Sequence, residues 1–225
     1  MREAVRPRVA IVDYGMGNLF SVKQACEHVG MHATVTSSKD AILAAEAVIL
    51  PGVGAFGDAM ETLRKLGLVG VLRDIAVSET PLFGICLGMQ LLMSESYEFG
   101  HHRGLEIIEG EVIRLEEARE GRWRLKVPHV GWNRISQPRP DSWRDSWLDG
   151  LDDGEFMYFV HSFYPKPADQ SLVRSMTRYG HAEFCSSLQR GNVFACQFHP
   201  ERSGRRGLRI YQNLAVCLAK STKEA

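Results

Sequence analysis

Apolar segments of strand length alternate with amphipathic segments through the first hundred residues, and this alternation constrains the fold more than any other feature. The strand-like runs are short and almost wholly apolar, as buried parallel strands are, and occupy residues 8–13, 32–36, 47–50 and 82–85. Helical patterns follow them at 19–29, 40–45, between 58 and 78, and from 87 to 94. Strands that alternate with helices predict a parallel sheet covered on both faces, with ligand sites at the carboxyl ends of its strands.

The rhythm changes after residue 104, where strand-like segments follow one another with short turns. These segments occupy residues 105–113, 157–162, 171–177, 182–188 and 193–198, and a helical pattern covers 207–220. Residues 137–154 are rich in Pro, Asp, Ser and Gly, which indicates a surface excursion. Since neither a repeat nor a linker interrupts the sequence, we expect one α/β domain over residues 1–225, with a central mostly parallel sheet flanked by helices and an antiparallel extension.

Charge and hydropathy argue against several function classes. The 225 residues include 27 Lys and Arg and 27 Asp and Glu, so the neutral chain lacks the electrostatic footprint of a nucleic-acid binder or a membrane-surface protein. No apolar run approaches the roughly 20 residues of a membrane span, and the first residues run straight into a strand pattern without a signal-peptide core. We therefore expect a cytoplasmic protein that binds neither nucleic acid nor membrane.

The spacing of the cysteines indicates separate roles rather than a common disulfide scaffold or metal site. Five are scattered through the sequence without a C-x-x-C pair, which argues against a zinc ribbon, a thioredoxin-like motif and a disulfide scaffold. Most of them should be small buried hydrophobes. Cys86 differs, because it lies between Gly84 and Gly88 at the junction of a predicted strand and a predicted helix.

The pentapeptide GICLG at 84–88 matches a nucleophile elbow, which is a strained turn between a strand and a helix. Such a turn places the Cys86 sulfur at the carboxyl end of the sheet and at a helix N-terminus, whose partial positive charge favours a thiolate. The N–H of Leu87 would then point toward a developing oxyanion. The alternative is an inert buried cysteine beside two turn glycines.

A thiol nucleophile needs a base and a group that orients the base. Among the eight histidines, His199 ends the apolar run 193–198 and is followed by Pro200 and Glu201. At the end of a strand, His-x-Glu can aim both side chains to the same side, so that the carboxylate holds the imidazole. By itself the tripeptide is more typical of a surface His-Pro turn; together with the elbow it predicts a catalytic pair.

A glycine-rich loop, PGVGAFG at 51–57, follows the third predicted strand. Its small residues allow a backbone N–H to face an anion or an oxyanion, although a flexible turn before a helix has the same composition. A phosphate-binding P-loop is excluded because no GK[ST] follows.

Taken together, PGVG, GICLGMQ and FHPE resemble in order and separation the motifs of the class I (triad) glutamine amidotransferases, which have a flavodoxin-like α/β fold. DYGMGN near the start, KVPHVGWN at 126–133, YFVHSFY at 158–164 and FHPERSG at 198–204 extend the similarity to the glutaminase subunits of imidazole glycerol phosphate synthases, over residues 13–204. Met89 stands where the anthranilate and aminodeoxychorismate glutaminases carry a histidine, and Val130 stands where this branch often has a methionine.

The resemblance implies that Cys86 attacks the carboxamide of L-glutamine and that His199, oriented by Glu201, shuttles the proton, without a cofactor or a metal. It also implies that a peptide of the glycine-rich loop reorients before the oxyanion hole is complete. The implied oxyanion-hole residues are Leu87, Gly52, Val53 and Gly54, and the implied substrate-binding residues are Gln90, Glu98, Tyr158 and His161.

The implied partner is a (β/α)8-barrel cyclase, which forms a heterodimer with the glutaminase and consumes its ammonia. Trp132 and Asn133 are candidate interface residues, with a structural turn as the alternative. The start of the last predicted helix is crowded with arginines, at Arg202, Arg205, Arg206 and Arg209. A solvated face is our first interpretation of these arginines and an interface the second. A glutaminase that serves another acceptor, a silent regulatory subunit and a cysteine peptidase remain as alternative functions.

Overall fold

A seven-stranded sheet forms the centre of the molecule, in a computed structural model that describes residues 6–116, 119–120 and 123–224. The strands are β1 (Arg8–Val12), β2 (His32–Thr36), β3 (Ala47–Leu50), β4 (Leu82–Ile85), β5 (Met93–Ser96), β6 (His102–Arg103), β7 (Ile108–Arg114), β8 (Arg119–Glu120), β9 (Trp123–Arg124), β10 (His129–Arg134), β11 (Phe156–His161), β12 (Phe163–Pro167), β13 (Val173–Tyr179), β14 (Ala182–Arg190) and β15 (Val193–Cys196). The helices are α1 (Leu19–His28), α2 (Lys39–Leu43), α3 (Phe56–Lys65), α4 (Leu68–Val77), α5 (Leu87–Leu91) and α6 (Gly204–Glu224), with 3-10 turns at Gln170–Leu172 and Pro200–Arg202. None of the helices in the described ranges is long and apolar enough to cross a lipid bilayer.

The strand order of the central sheet is β13-β14-β15-β4-β3-β1-β2. From β2 to β15 each neighbouring pair is parallel, whereas β14 pairs antiparallel with both β15 and β13. A four-stranded sheet ordered β12-β7-β5-β6 and the antiparallel pairs β10–β11 and β8–β9 contain the other described strands. The predicted α/β fold, a mostly parallel sheet with an antiparallel extension, is confirmed.

Helices cover both faces of the central sheet, which explains the nearly unbroken apolar character of its strands. Alternate residues of β1 enter two different cores, with Val9 and Ile11 on one face and Ala10 and Val12 on the other. The core on the Val9 face includes apolar residues of α1 and α6, and the opposite core includes those of α3, α4 and α5.

Three parallel strands of this sheet end at the same edge. Their pairing places β3 beside β4 and β4 beside β15. The segments that follow them begin at Pro51, Cys86 and Gln197, respectively. The three motifs that the sequence indicated therefore meet at the carboxyl edge of the sheet, where sites form in folds of this type.

The helix after Cys86 is shorter than predicted. Helix α5 ends at Leu91, whereas the sequence pattern predicted helix as far as residue 94. The chain leaves the helix because its backbone pairs with the segment before β7: the Leu105 N–H donates to the Leu91 carbonyl at 2.8 Å, and the Ile108 N–H to the Leu92 carbonyl at 2.9 Å. Tertiary pairing thus overrides a local preference for helix.

Residues 137–154 contribute to the core, so the prediction of a surface excursion is wrong in this respect. Four of their apolar side chains are buried, those of Trp143, Trp147, Leu148 and Leu151. The Trp147 ring stacks on Phe194 with 5.0 Å between ring centroids and meets the edge of Phe83 at 5.2 Å. Despite the polar composition of the segment, its four buried apolar side chains belong to the core on one face of the sheet.

Candidate active site

The structure places Cys86 in a sharp turn between β4 and α5. Its backbone angles are φ 54° and ψ −111°, a conformation that is rare for a residue with a side chain. The turn is held by a hydrogen bond from the Cys86 N–H to the Cys196 carbonyl, at 2.8 Å. Strained conformations of this kind persist only where the surrounding structure enforces them, and they concentrate at functional sites.

Each of the two glycines that flank Cys86 is required for a different steric reason. A Cβ atom at Gly88 would collide with the carbonyl of Leu50, the last residue of β3. A Cβ atom at Gly84 would lie 3.1 Å from the Cβ of Ala195 and equally close to the Gly88 carbonyl. Both positions therefore allow the close backbone approach that the pentapeptide predicted.

His199 and Glu201 form a buried pair at the end of β15. The imidazole Nδ1 donates to Glu201 Oε1 at 2.8 Å, and the two side chains are only 4% and 1% exposed. Because the carboxylate accepts this bond, Nδ1 carries the hydrogen and Nε2 remains for a second partner. Among the described residues, the buried Nε2 has no hydrogen-bond partner. A 3-10 turn at Pro200–Arg202 brings the carboxylate back to the ring.

Electrostatics favour the charged form of this imidazole. Burial opposes the imidazolium, but the negative charges of Cys86 and Glu201, with the hydrogen bond to Glu201, outweigh burial and raise the pKa of His199 to about 10. The site therefore favours an imidazolium at His199.

A cavity of about 250 Å³ opens beside the elbow. The predicted site residues that line it are Val53, Gly54, Cys86, Leu87, Gln90, Glu98 and His161. Gly52 packs next to the elbow, where a Cβ atom would collide with the Tyr14 hydroxyl and crowd Leu87. The structure thus brings the elbow cysteine, the glycine-rich loop and the candidate substrate groups to one cavity.

Tyr158 is not among the residues that line this cavity. Its ring lies under the guanidinium of Arg202, 4.3 Å from the ring centroid, and 6.0 Å from the Trp132 ring. Trp132 is 56% exposed. Arg202 and Trp132 are exposed and Tyr158 is partly buried, so these three side chains form an outward-facing cluster next to His199 and Glu201, with the Trp132 ring edge-on to Tyr158.

Glu98 reaches the cavity from the loop before β6. Its Oε2 accepts a hydrogen bond from the Phe56 N–H, at the start of α3, at 2.7 Å. Burial raises the pKa of Glu98, against the opposing effect of this bond. A cationic group bound nearby would favour the carboxylate.

Two buried glutamines connect the cavity to the thiol. Gln90 Nε2 donates to the Phe163 carbonyl and to Gln197 Oε1, both at 2.9 Å. Gln197 Nε2 in turn donates to Cys86 Sγ at 3.6 Å. Sequence reasoning missed Gln197, although it lies two residues before His199 and directly after β15.

Two further residues that the sequence did not single out hold the site. The Ser203 hydroxyl donates to the His199 carbonyl at 2.6 Å and accepts the Tyr158 N–H at 3.0 Å. His129 lies behind the cavity wall and contacts His161. The motif KVPHVGWN contains His129 and FHPERSG contains Ser203, but neither motif indicates these roles, which depend on contacts with His161 and Tyr158.

A larger groove at the start of α6, of about 670 Å³, is unrelated to this chemistry. It is lined in part by the exposed Arg205, Arg206 and Arg209. Arg206 pairs with Asp152 at 3.2 Å and with Glu155 at 2.9 Å. The first interpretation of these arginines, a solvated face, agrees with this arrangement.

The fold and the site define a class of protein, and comparison with known proteins identifies the same class. The profile of the glutamine amidotransferase class-I family matches residues 10–216. Among solved structures, PurLQS from Thermotoga maritima has a TM-score of 0.69 at 20% identity, covering 95% of this chain and 100% of that one. A glutamine amidotransferase from Thermotoga maritima has a TM-score of 0.60 at 14% identity, covering 98% and 87%. The chain belongs to the class-I glutamine amidotransferase family.

Curated relatives identify the branch of the family to which the chain belongs. The imidazole glycerol phosphate synthase subunit HisH of Moorella thermoacetica is 48% identical, over 93% of this chain and 94% of that protein. HisH of Aquifex aeolicus is 46% identical, over 92% and 95%, and HisH of Methanosarcina acetivorans is 44% identical, over 92% and 96%. These relatives place the chain in the HisH branch of the family.

Proposed function

We propose that this chain is the glutaminase subunit of an imidazole glycerol phosphate synthase. It hydrolyses L-glutamine to glutamate and ammonia and passes the ammonia to a cyclase subunit, which makes imidazole glycerol phosphate and an aminoimidazole carboxamide ribotide. The proposal is carried by one observation: the elbow cysteine lines the cavity, and the buried pair of His199 and Glu201 follows β15, the strand beside β4. The HisH relatives supply the pathway.

The chemistry needs two steps. The Cys86 thiolate attacks the carboxamide carbon, and the imidazolium of His199 gives its Nε2 proton to the departing nitrogen, so that ammonia leaves and a glutamyl thioester remains. The neutral imidazole then takes a proton from water as the oxygen attacks the thioester. The new γ-carboxyl group gives its proton to solvent, glutamate leaves, and the sulfur returns to the thiolate with His199 charged again.

The oxyanion of each step needs N–H donors. Leu87 is the first residue of α5, and it lines the cavity together with Cys86. The first N–H groups of a helix have no partner within the helix, so the Leu87 N–H is free to donate to an oxyanion. The second donor is a peptide N–H of the loop from Gly52 to Gly54. Gly54 has φ +104°, which a glycine tolerates, and we propose that this loop turns a peptide toward the oxyanion when the partner is engaged.

The substrate amino acid is held by two side chains. Both hydrogens of Gln90 Nε2 are used within the protein, so its Oε1 is the atom left to accept from the substrate. The Glu98 carboxylate is suited to the substrate α-ammonium, whose charge offsets the cost of burying it. His161 shapes the wall, because its two ring nitrogens are engaged by His129 and the Phe163 carbonyl.

The partner is a (β/α)8-barrel cyclase that forms a heterodimer with this chain. Ammonia released into water would be protonated and lost as a nucleophile, so a surface must cap the cavity mouth. Pro128 lines the cavity, and two residues that follow it on β10, Val130 and Trp132, are exposed by 57% and 56%. Large exposed apolar side chains at a site rim are typical of interfaces.

A paired assay tests this function. The chain is purified with the cyclase, and glutamine hydrolysis is measured with and without the cyclase and its nucleotide ligand. We expect slow hydrolysis by the isolated chain and stimulation by the liganded cyclase. Cys86→Ala should abolish glutamine-dependent synthesis and leave synthesis from external ammonium, whereas Cys185→Ala, at a buried thiol of β14, should retain both. Efficient use of glutamine by Cys86→Ala would refute the assignment.

A further inference from the structure

We infer that Gln197 is a further catalytic residue, whose side-chain amide donates a hydrogen bond to the nucleophilic sulfur. Its Nε2 lies 3.6 Å from Cys86 Sγ, within the range of N–H···S bonds, and its side chain is completely buried. The residue comes directly after β15, at the sheet edge where the elbow lies. This inference rests on Cys86 as the nucleophile of the proposed function.

The orientation of the Gln197 amide follows from its neighbours. A backbone carbonyl can only accept, so the Gln90 atom 2.9 Å from the Phe163 carbonyl is the amide nitrogen. That nitrogen also donates to Gln197, which must therefore present its oxygen to Gln90, at 2.9 Å. The Gln197 nitrogen is then left to face the sulfur of Cys86.

The sulfur has different partners in its two protonation states. As a thiol, Cys86 can donate to the Val160 carbonyl, which is 3.8 Å from Sγ. As a thiolate it can only accept, and Gln197 offers a buried N–H for that purpose. A donor bonds a charged sulfur more strongly than a neutral one, so the amide favours the nucleophilic form and holds its direction.

Gln90 acts on this donor as a positioning residue. Its amide is fixed at one end by Phe163 and at the other by Gln197. The three side chains that these hydrogen bonds connect, those of Gln90, Gln197 and Cys86, are all buried. Water therefore cannot replace a lost hydrogen bond without entering the site. The substrate pocket and the nucleophile are thus linked through two amides.

Two substitutions separate the donor function from simple packing. Gln197→Met removes both amide atoms at similar length, whereas Gln197→Glu keeps an acceptor for Gln90 and, when ionised, has no hydrogen to donate to the sulfur. In the complex with the cyclase, both variants should lower kcat for glutamine hydrolysis about tenfold or more, and change KM by less than about threefold. Gln189→Met and Gln189→Glu, at a partly buried glutamine on β14, are the matched controls and should leave kcat unchanged.

Alkylation of Cys86 by iodoacetamide provides a readout that is independent of the partner and of glutamine. In the isolated chain at neutral pH, both Gln197 variants should react about tenfold more slowly than the unmodified protein and the Gln189 controls. Wild-type kcat and alkylation rate in Gln197→Met, which has no donor at any pH, would overturn the inference. Failure of the proposed function would look different, because Cys86→Ala would then still use glutamine.

A measurement on the unmodified chain covers the case in which neither Gln197 variant folds. The side-chain amide signals of Gln197 in a ¹⁵N–¹H correlation spectrum should shift when Cys86 is alkylated, because the acceptor changes. Those of Gln189 should remain in place. Unchanged Gln197 signals after complete alkylation would contradict the hydrogen bond.

Discussion

His129 Nδ1 and His161 Nε2 lie 3.0 Å apart, and only one arrangement of hydrogens satisfies this pair. His161 Nδ1 faces the Phe163 carbonyl at 3.0 Å, so it carries the hydrogen and Nε2 must accept. His129 Nδ1 therefore donates, and its Nε2 accepts from the Asn133 amide at 3.3 Å. Both rings are neutral in this arrangement, and an added proton would set two donors against each other.

This pair predicts sensitivity to acid. Burial lowers the pKa of His129 to about 4, and burial followed by the neighbouring His129 lowers the pKa of His161 to about 3. The unfolded chain binds these protons near pH 6.5 and the folded one does not, so the free energy of unfolding should fall as pH drops below about 6.5 toward 4. In urea denaturation between pH 6.5 and 4, the free energy of unfolding of His129→Gln should fall by about 2–3 kcal/mol less than that of the wild type.

Exposed His28 is the control for that experiment, and His28→Gln should follow the wild-type curve. Equal slopes for wild type and His129→Gln would show that the buried pair accepts protons without penalty.

The buried pair of His199 and Glu201 predicts the opposite behaviour in alkali. Since burial is outweighed by the charges of Cys86 and Glu201, which raise the pKa of His199 to about 10, the folded chain keeps a proton that the unfolded chain loses near pH 6.5. The stability from this imidazolium is fully present below about pH 6.5 and is lost as pH rises through about 10. Because the Cys86 thiol of the unfolded chain keeps its own proton up to about pH 8.5, Glu201→Gln should flatten the decline of unfolding free energy between about pH 8.5 and 10. Glu79→Gln, at an exposed carboxylate, should not. A decline in Glu201→Gln as steep as in wild type would contradict the raised pKa.

Three glycine substitutions test the geometry of the elbow. Gly88→Ala forces a Cβ against a backbone carbonyl and should cost more than about 3 kcal/mol of unfolding free energy. Gly84→Ala meets Ala195 at 3.1 Å and should cost about 1–3 kcal/mol. Gly70→Ala, in α4 with nothing within 4 Å, should stabilise the protein by about 0.5–1 kcal/mol. Thermal or chemical denaturation measures all three, and equal effects at Gly88 and Gly70 would refute the close approach.

A pair of tryptophans distinguishes packing from partner binding. Trp147 is buried between the rings of Phe83 and Phe194, so Trp147→Ala should cost about 3–5 kcal/mol in chemical denaturation. Trp132 is largely exposed, and Trp132→Ala should change stability by less than about 0.5 kcal/mol while weakening assembly with the cyclase in titration calorimetry. Undiminished cyclase affinity in Trp132→Ala would remove this residue from the proposed interface.

The α/β fold and the position of the triad motifs could be predicted because the signals are local. Buried parallel strands are short apolar runs, and Cys86 and His199 each stand directly at the end of such a run or just beyond it. Parallel strands end at one edge, so motifs that are distant in sequence come together without knowledge of any contact.

The features that could not be predicted from the sequence depend on contacts between distant segments. Gln90 and Gln197 are 107 residues apart, and nothing beside either residue indicates the other. Strand β12 was not predicted because Pro165 and Pro167 argue against a strand; both are tolerated because β12 lies at the edge of its sheet. Residues 137–154 read as polar because their buried tryptophans are spaced among aspartates and serines without a regular period.

The contact of Gly88 with the Leu50 carbonyl also bears on how this gene can vary. Every missense change of a glycine codon adds at least one carbon, so no single substitution at position 88 leaves the elbow as it is. Loss of the enzyme through this codon would leave the cysteine, histidine and glutamate codons untouched. A gene copy that keeps Cys86, His199 and Glu201 but alters residue 88 should therefore be expected to encode a destabilised protein when genomes are screened for this activity.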